Sequence, residues 1–212
     1  MNKFTDFFKA QANDIFKPIL VLFCICLIIP LALSLTNELT AKRIENLQKE
    51  NEKATMAKLL PADEFKKDTF EGKDEKFDFH IAMTDENVEG YIFITSAKGY
   101  GGEVSVMTAI GTDGKIISTS ILNASNETPG LGQNVTKETF YSQFKEKIKD
   151  ITVVKNGALQ ENNEVNAVTG ATISSKAVTS AVNKALEQFE EYSNKTFIDT
   201  EVADGKQTGV KN

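Results

Sequence analysis

Residues 90–122 read GYIFITSAKGYGGEVSVMTAIGTDGKIISTSIL, and this stretch decides the fold. Residues 90–95 are rich in aromatic and β-branched side chains, the composition of a half-buried strand. Lys98-Gly99-Tyr100-Gly101-Gly102-Glu103 follows as a glycine-dense turn. Residues 104–110 make a second strand, Thr112-Asp113-Gly114 is a hairpin turn, and 116–122 a third strand. Three strands in line with short turns predict an antiparallel meander.

Outward toward the C-terminus, Phe140, Phe144 and Ile148 recur at i, i+4, i+8, which predicts one helix. Residues 151–154 return to strand character. Ala181, Val182, Ala185, Leu186 and Phe189 give an apolar face to a final helix over about 175–192. The tail from Thr200 is polar and is expected to lack order. Outward toward the N-terminus, His80 lies in Phe77-Asp78-Phe79-His80-Ile81 and reads as a strand-packing residue. Residues 37–60 are rich in Glu, Lys, Ala, Leu and Gln, and so read as a helical stalk stopped by Pro61. Residues 18–36, PILVLFCICLIIPLALSLT, carry no charge and suit a transmembrane helix, with Pro30 predicted to kink it. A retained anchor is preferred to a cleaved leader, because the apolar run is long and no small-residue cleavage site closes it. Lys3, Lys9 and Lys17 on one side nearly balance Lys42 and Arg43 on the other, so charge alone leaves the orientation open.

The expected architecture is α+β: an antiparallel sheet with packed helices, preceded by one transmembrane helix and a helical stalk. Its segments are a cytoplasmic N-terminus (1–17), the span (18–36), the stalk (37–60), a domain (61–195) and a polar tail (196–212).

Composition removes several kinds of chemistry. The net charge of -6 repels phosphate backbones, so no nucleic-acid partner is expected. The two cysteines, Cys24 and Cys26, both lie in the apolar run, and His80 is the sole histidine. The domain therefore has no thiolates for an iron–sulfur cluster, a zinc site or a disulfide, and no metal site is expected. Redox chemistry there requires an organic cofactor.

The chemically informative segment is Asn166-Ala167-Val168-Thr169-Gly170-Ala171-Thr172-Ile173-Ser174-Ser175-Lys176, which leads into the last helix. A helix start offers unpaired N–H groups and a positive dipole end, where phosphate binds readily. Gly170 and Ala171 allow close backbone approach, and Thr169, Thr172, Ser174 and Ser175 supply hydroxyls. An ordinary Ser/Thr cap has the same appearance.

Three motifs carry a resemblance. Thr169-Gly170-Ala171-Thr172 with Ile173-Ser174-Ser175, Gly99-Tyr100-Gly101-Gly102, and Glu127-Thr128-Pro129-Gly130-Leu131-Gly132 together resemble the FMN-binding domain family of bacterial membrane redox complexes. Within that family the layout of one span and one domain is similar to the G subunits of Rnf-type electron-transport complexes. The C subunits of sodium-pumping NADH:quinone oxidoreductases are the close relatives; the GYGG turn favours the former. The resemblance implies FMN esterified through its phosphate to Thr172 by a flavin transferase. It implies flavin contacts from Tyr100, Glu127, Thr128, Pro129, Gly130 and Leu131. It also implies an electron-carrier role between ferredoxin and NAD, coupled to ion movement. The implied partners are the other subunits of the membrane complex and membrane lipid, with the domain on the extracytoplasmic side. The isolated chain is expected to have no turnover. Asn166 stands where the family pattern has Asp. A membrane-anchored sensory or assembly module without flavin is the alternative from another class.

Overall fold

A computed structural model describes the backbone of residues 3–155, 157 and 162–205, and the side chains of 16–155, 157 and 162–196. The chain divides into two compact units, Met1–Asn51 and Glu52–Asn212.

The first unit is helical. Helix α1 (Lys3–Leu59) supplies it and continues into the second unit; the helix is unbroken through Pro18 and Pro30. Among the described residues this is the one helix long and apolar enough to cross a membrane, with a mean hydropathy of 2.9 over its best window. Its Leu20, Phe23, Ile28 and Leu31 side chains are exposed, as a lipid-facing surface requires. Thr36 and Thr40 return their hydroxyls to the carbonyls of Ala32 and Thr36, at 2.8 and 2.9 Å. The residues expected as a stalk are helical up to Leu59, ahead of Pro61.

The second unit is built on a five-stranded antiparallel sheet in the order β1 (Glu64–Glu71), β2 (Lys76–Thr84), β3 (Asn87–Lys98), β4 (Glu103–Gly111), β5 (Ile116–Asn123). The α+β expectation holds. Period-2 alternation sends neighbouring side chains to opposite faces. Phe79, Phe93, Val104, Val106 and Ile110 pack against Ala177, Val178, Ala181, Val182, Ala185 and Leu186 of α3 (Thr172–Gly205). Thr95 Oγ1 fixes this layer by donating to the Ala181 carbonyl at 2.7 Å. On the other face Ala82, Ile92, Met107 and Ala109 pack against Met56 and Leu60, the end of α1 and the residue after it. Ser118 Oγ donates to the Leu59 carbonyl there, at 2.6 Å. A short parallel pair, β6 (Thr152–Val154) and β7 (Glu164–Asn166), leads into the start of α3.

Two expectations need correction. Phe140, Phe144 and Ile148 do not share one helix. Helix α2 (Glu138–Tyr141) gives way to a 3₁₀ turn at Ser142–Phe144, Glu146 takes φ 65°, and Ile148 is exposed. Phe140 and Phe144 are nonetheless both buried, edge to face at 5.6 Å. The last helix begins at Thr172 rather than near 175 and continues to Gly205, past the expected onset of the tail at Thr200; residues 206–212 lie outside the described residues. Strands β1 and β7 add to the expected set; β1 is a charged edge and β7 has only three residues, so neither carries a strand pattern of its own.

Candidate functional site

Two tight turns and one glycine hairpin meet at the start of α3. Val168 O accepts from Ala171 N at 2.9 Å, closing a turn with Gly170 at φ +76° in its third position. Thr128 O accepts from Leu131 N at 3.2 Å, closing a second turn with Pro129 and Gly130 at its centre and Gly130 at φ +75°. Both follow the type II pattern, in which a positive φ at the third position calls for glycine. The turns lie close together, since a Cβ on Gly170 would sit 3.2 Å from Leu131 Cδ2. Thr128, Pro129, Gly130 and Gly170 are exposed.

The glycine hairpin joins β3 to β4, with Gly99 N donating to Gly102 O at 2.7 Å. Its backbone lies directly on Asn126 and Glu127. A Cβ on Gly101 would be 1.8 Å from the Asn126 carbonyl oxygen, and one on Gly99 2.2 Å from Glu127 Oε1. These glycines serve the docking of one loop on another. The docking leaves Tyr100 at the tip, 71% exposed, so Tyr100 does not fill the core.

Glu127 links all three motifs. Its Oε1 accepts from Gly101 N at 3.1 Å, and its Oε2 accepts from Ser174 Oγ at 2.5 Å. Ser175 Oγ accepts from Val168 N and donates to Ala171 O, both at 2.9 Å. The two serine hydroxyls therefore fasten the loop to the helix. The hydroxyls left for a ligand are those of Thr169 and Thr172, neither of which has a hydrogen-bond partner among the described residues.

The helix start itself departs from an ordinary cap. The first helical bond runs from Ser175 N to Ala171 O at 2.9 Å, which puts alanine at the capping position and Thr172 at the first helical one. Alanine offers no side-chain acceptor. Among the described residues the N–H groups of Thr172, Ile173 and Ser174 have no acceptor, and the first turn holds no acidic residue. Lys176, one turn beyond Thr172, is exposed and forms no ion pair among the described residues. Three free donors, a dipole end, a nearby cation and a free hydroxyl are the donor set that a phosphate monoester requires. The residues present fit the phosphate end of FMN.

Leu131 and Ile173, at 47 and 54% exposure, are exposed apolar side chains at this start, and Tyr100 stands exposed at the tip of the hairpin; such side chains suit a planar ring. A cleft of about 360 Å³ beside Thr169 is lined by residues that include Lys137, Gln143 and Asn166. Gln143 is a site neighbour that sequence reasoning misses. It pairs with the backbone of Asn166 through Asn166 N to Oε1 (2.8 Å) and Nε2 to Asn166 O (3.3 Å), extending β7 as a further strand would. No local pattern marks a contact between residues so far apart in the chain. Asn166 Oδ1 accepts from Gly157 N at 3.2 Å, a bond an aspartate carboxylate would also make.

Residues 99–187 match the FMN-binding domain family. The chain is 36% identical over 84% of its length to the G subunit of the Na(+)-translocating ferredoxin:NAD(+) oxidoreductase complex of Acetobacterium woodii, covering 93% of that protein. It is 43% identical to the G subunit of the proton-translocating ferredoxin:NAD(+) oxidoreductase complex of Clostridium ljungdahlii, a match spanning 57% of this chain and 64% of that one. The crystal structure of Shewanella oneidensis NqrC superposes with a TM-score of 0.50 at 22% identity, over 65% of this chain and 71% of the other, a likeness of fold.

Proposed function

The chain belongs to the family of G subunits of ion-translocating oxidoreductase complexes, and from that premise we propose that it is an electron carrier holding FMN through a phosphoester to Thr172. The observation that carries this reading is the uncapped start of α3, where three backbone N–H groups and the Thr172 hydroxyl stand free among the described residues.

FMN supplies the redox chemistry when bound. The protein's part is attachment, orientation and charge. Thr172 Oγ1 is the attachment atom. The N–H groups of Thr172, Ile173 and Ser174 meet the negative charge of the ester, and Lys176 adds a cation one helical turn away. Gly170 keeps the approach to Thr172 low, and Thr169 supplies a second free hydroxyl. Tyr100, Leu131 and the Thr128–Pro129–Gly130 turn would offer contacts to the ring, with Glu127 holding that loop against the helix through Ser174. Covalent attachment keeps the cofactor on an extracytoplasmic domain, where free FMN is scarce. The span in α1 anchors the domain beside the other subunits of a complex that couples ferredoxin and NAD to ion transport.

The test is coexpression of the full chain with a flavin transferase, followed by denaturing electrophoresis under ultraviolet light and peptide mass mapping. A fluorescent band, with the FMN mass on the peptide containing Thr172 and lost in Thr172→Ala, is the expected result. A wild-type chain of bare polypeptide mass refutes the reading. Protease protection in sealed vesicles tests the side on which the domain lies.

A further inference from the structure

Glu127 is the single buried carboxylate among the described residues, at 2% exposure. Burial disfavours a carboxylate unless its oxygens are met by donors or cations. No cation pairs with it among the described residues; its oxygens are met by the Gly101 N–H and the Ser174 hydroxyl. Room for it is made by Gly99, whose Cβ would lie 2.2 Å from Oε1, and by Gly132, whose Cβ would lie 2.5 Å from Oε2. The 99–102 hairpin, the 127–132 loop and the third residue of α3 are thus held by one side chain. Hydrophobic packing of α3 on the sheet does not require such a tie, since Ala177, Val178 and Ala181 already secure the helix further along.

We propose that Glu127 is the positioning residue for flavin attachment. This rests on the assignment of Thr172 as the attachment site. Through Ser174, two residues on, Glu127 fixes the angle at which the first turn of α3 presents Thr172 Oγ1. Through Gly101 it fixes the hairpin that flanks the same point. The transfer forms the Thr172 Oγ1–phosphorus bond and breaks the anhydride P–O–P bond of a flavin dinucleotide donor. A nucleoside monophosphate leaves, and the hydroxyl proton passes to a base of the transferase. No oxidation or reduction occurs, so the rate depends on how well the hydroxyl is aligned with the donor phosphorus.

The experiment measures transfer kinetics with the unmodified full chain in detergent as the varied substrate and purified transferase with flavin adenine dinucleotide as donor. Glu127→Ala and Ser174→Ala are compared with Asn183→Ala, which removes the bonds from the Asn183 side chain to Ile151 N and O (3.0 and 2.9 Å) and so loosens α3 away from the clasp. Misalignment predicts a kcat for transfer lowered about tenfold to a hundredfold in the first two variants. Their KM for the chain should stay within about twofold, because uniform binding to the transferase is retained. Asn183→Ala should lower the melting temperature yet keep the wild-type kcat. Should Glu127→Ala fail to fold, Ser174→Ala carries the test, since it removes one hydrogen bond and leaves the Gly101 bond intact. The proposal is overturned if Ser174→Ala transfers at the wild-type rate, if the loss falls on KM, or if Asn183→Ala loses as much kcat. A wild-type chain that takes no flavin, or labelling that survives Thr172→Ala, refutes the attachment assignment instead.

Discussion

Alanine at Gly101 and alanine at Gly130 test what the glycines of the site are for, and the structure separates the two sharply. At Gly101 the new methyl would stand 1.8 Å from the Asn126 carbonyl oxygen and 2.8 Å from its carbon, both backbone atoms. Real Cβ atoms essentially never approach within 3.0 Å, so the hairpin must retreat by about 1.2 Å. That movement draws Gly101 N out of reach of Glu127 Oε1, now 3.1 Å away. A hydrogen bond to a charged group contributes about 1.5–3 kcal/mol, so Gly101→Ala should destabilise the second unit by about 2–3 kcal/mol. Gly130 has φ +75° but nothing within 4 Å of its Cβ position. Gly130→Ala therefore meets only the left-handed backbone cost of about 1–2 kcal/mol. Urea unfolding of the detergent-solubilised chain, followed by tyrosine fluorescence, gives both values. Amide hydrogen exchange should show Gly130→Ala retaining protection across residues 99–102 and Gly101→Ala losing it. Equal destabilisation, with protection of the hairpin intact in both variants, refutes the view that Gly101 exists to seat the hairpin on Glu127.

Other perturbations reach different parts of the molecule. Phe144→Ala empties a fully buried site beside Phe140 and should cost about 3–5 kcal/mol in the same unfolding assay. Asn183→Ala leaves the Ile151 N–H and C=O without their partner and should cost about 1–3 kcal/mol, read as a lower urea midpoint with unchanged slope. The His80 imidazole is held below its ordinary value of 6.5, first by burial and then by Lys67. As pH falls below about 6.5 the unfolded chain takes up this proton before the folded chain does, so stability present above that pH is lost on acidification. The melting temperature should fall as the pH drops below about 6.5, and His80→Gln should flatten that slope. Glu75 and Asp78 are held below the usual carboxylate range by Lys184 and Lys67 respectively, so their contributions are lost only in a more acid window.

The meander is legible because its strands alternate in a half-buried sheet and its turns use glycine. Residues 90–122 foretell β4 and β5 to within one residue at each end, whereas β3 runs three residues beyond 90–95 in both directions. Strand β1 escapes because an edge strand reads by its neighbours: Glu64, Lys66, Lys67 and Asp68 look like loop until Met83, Ile81, His80 and Phe79 are set opposite them. The spacing of Phe140, Phe144 and Ile148 misleads because burial of two aromatics does not require an unbroken helix; α2 and the 3₁₀ turn bring both inward without it. Within the site, the motifs locate the loops but not their division of labour. Ser174 and Thr172 look equivalent as hydroxyls in sequence. Only the position of Glu127, 47 residues earlier in the chain, takes Ser174 into the scaffold and leaves Thr172 free.

The seating of Met56 and Leu60 on the back of the sheet bears on where this protein can be cut. A soluble fragment begun at residue 61, as the first proline after the helix invites, would uncover Ala82, Ile92, Met107 and Ala109 and leave Ser118 without its Leu59 acceptor. Such a raw apolar face favours self-association. Trimming at Glu52 keeps the last turns of the helix as a lid, and leaves the sheet clothed on both sides.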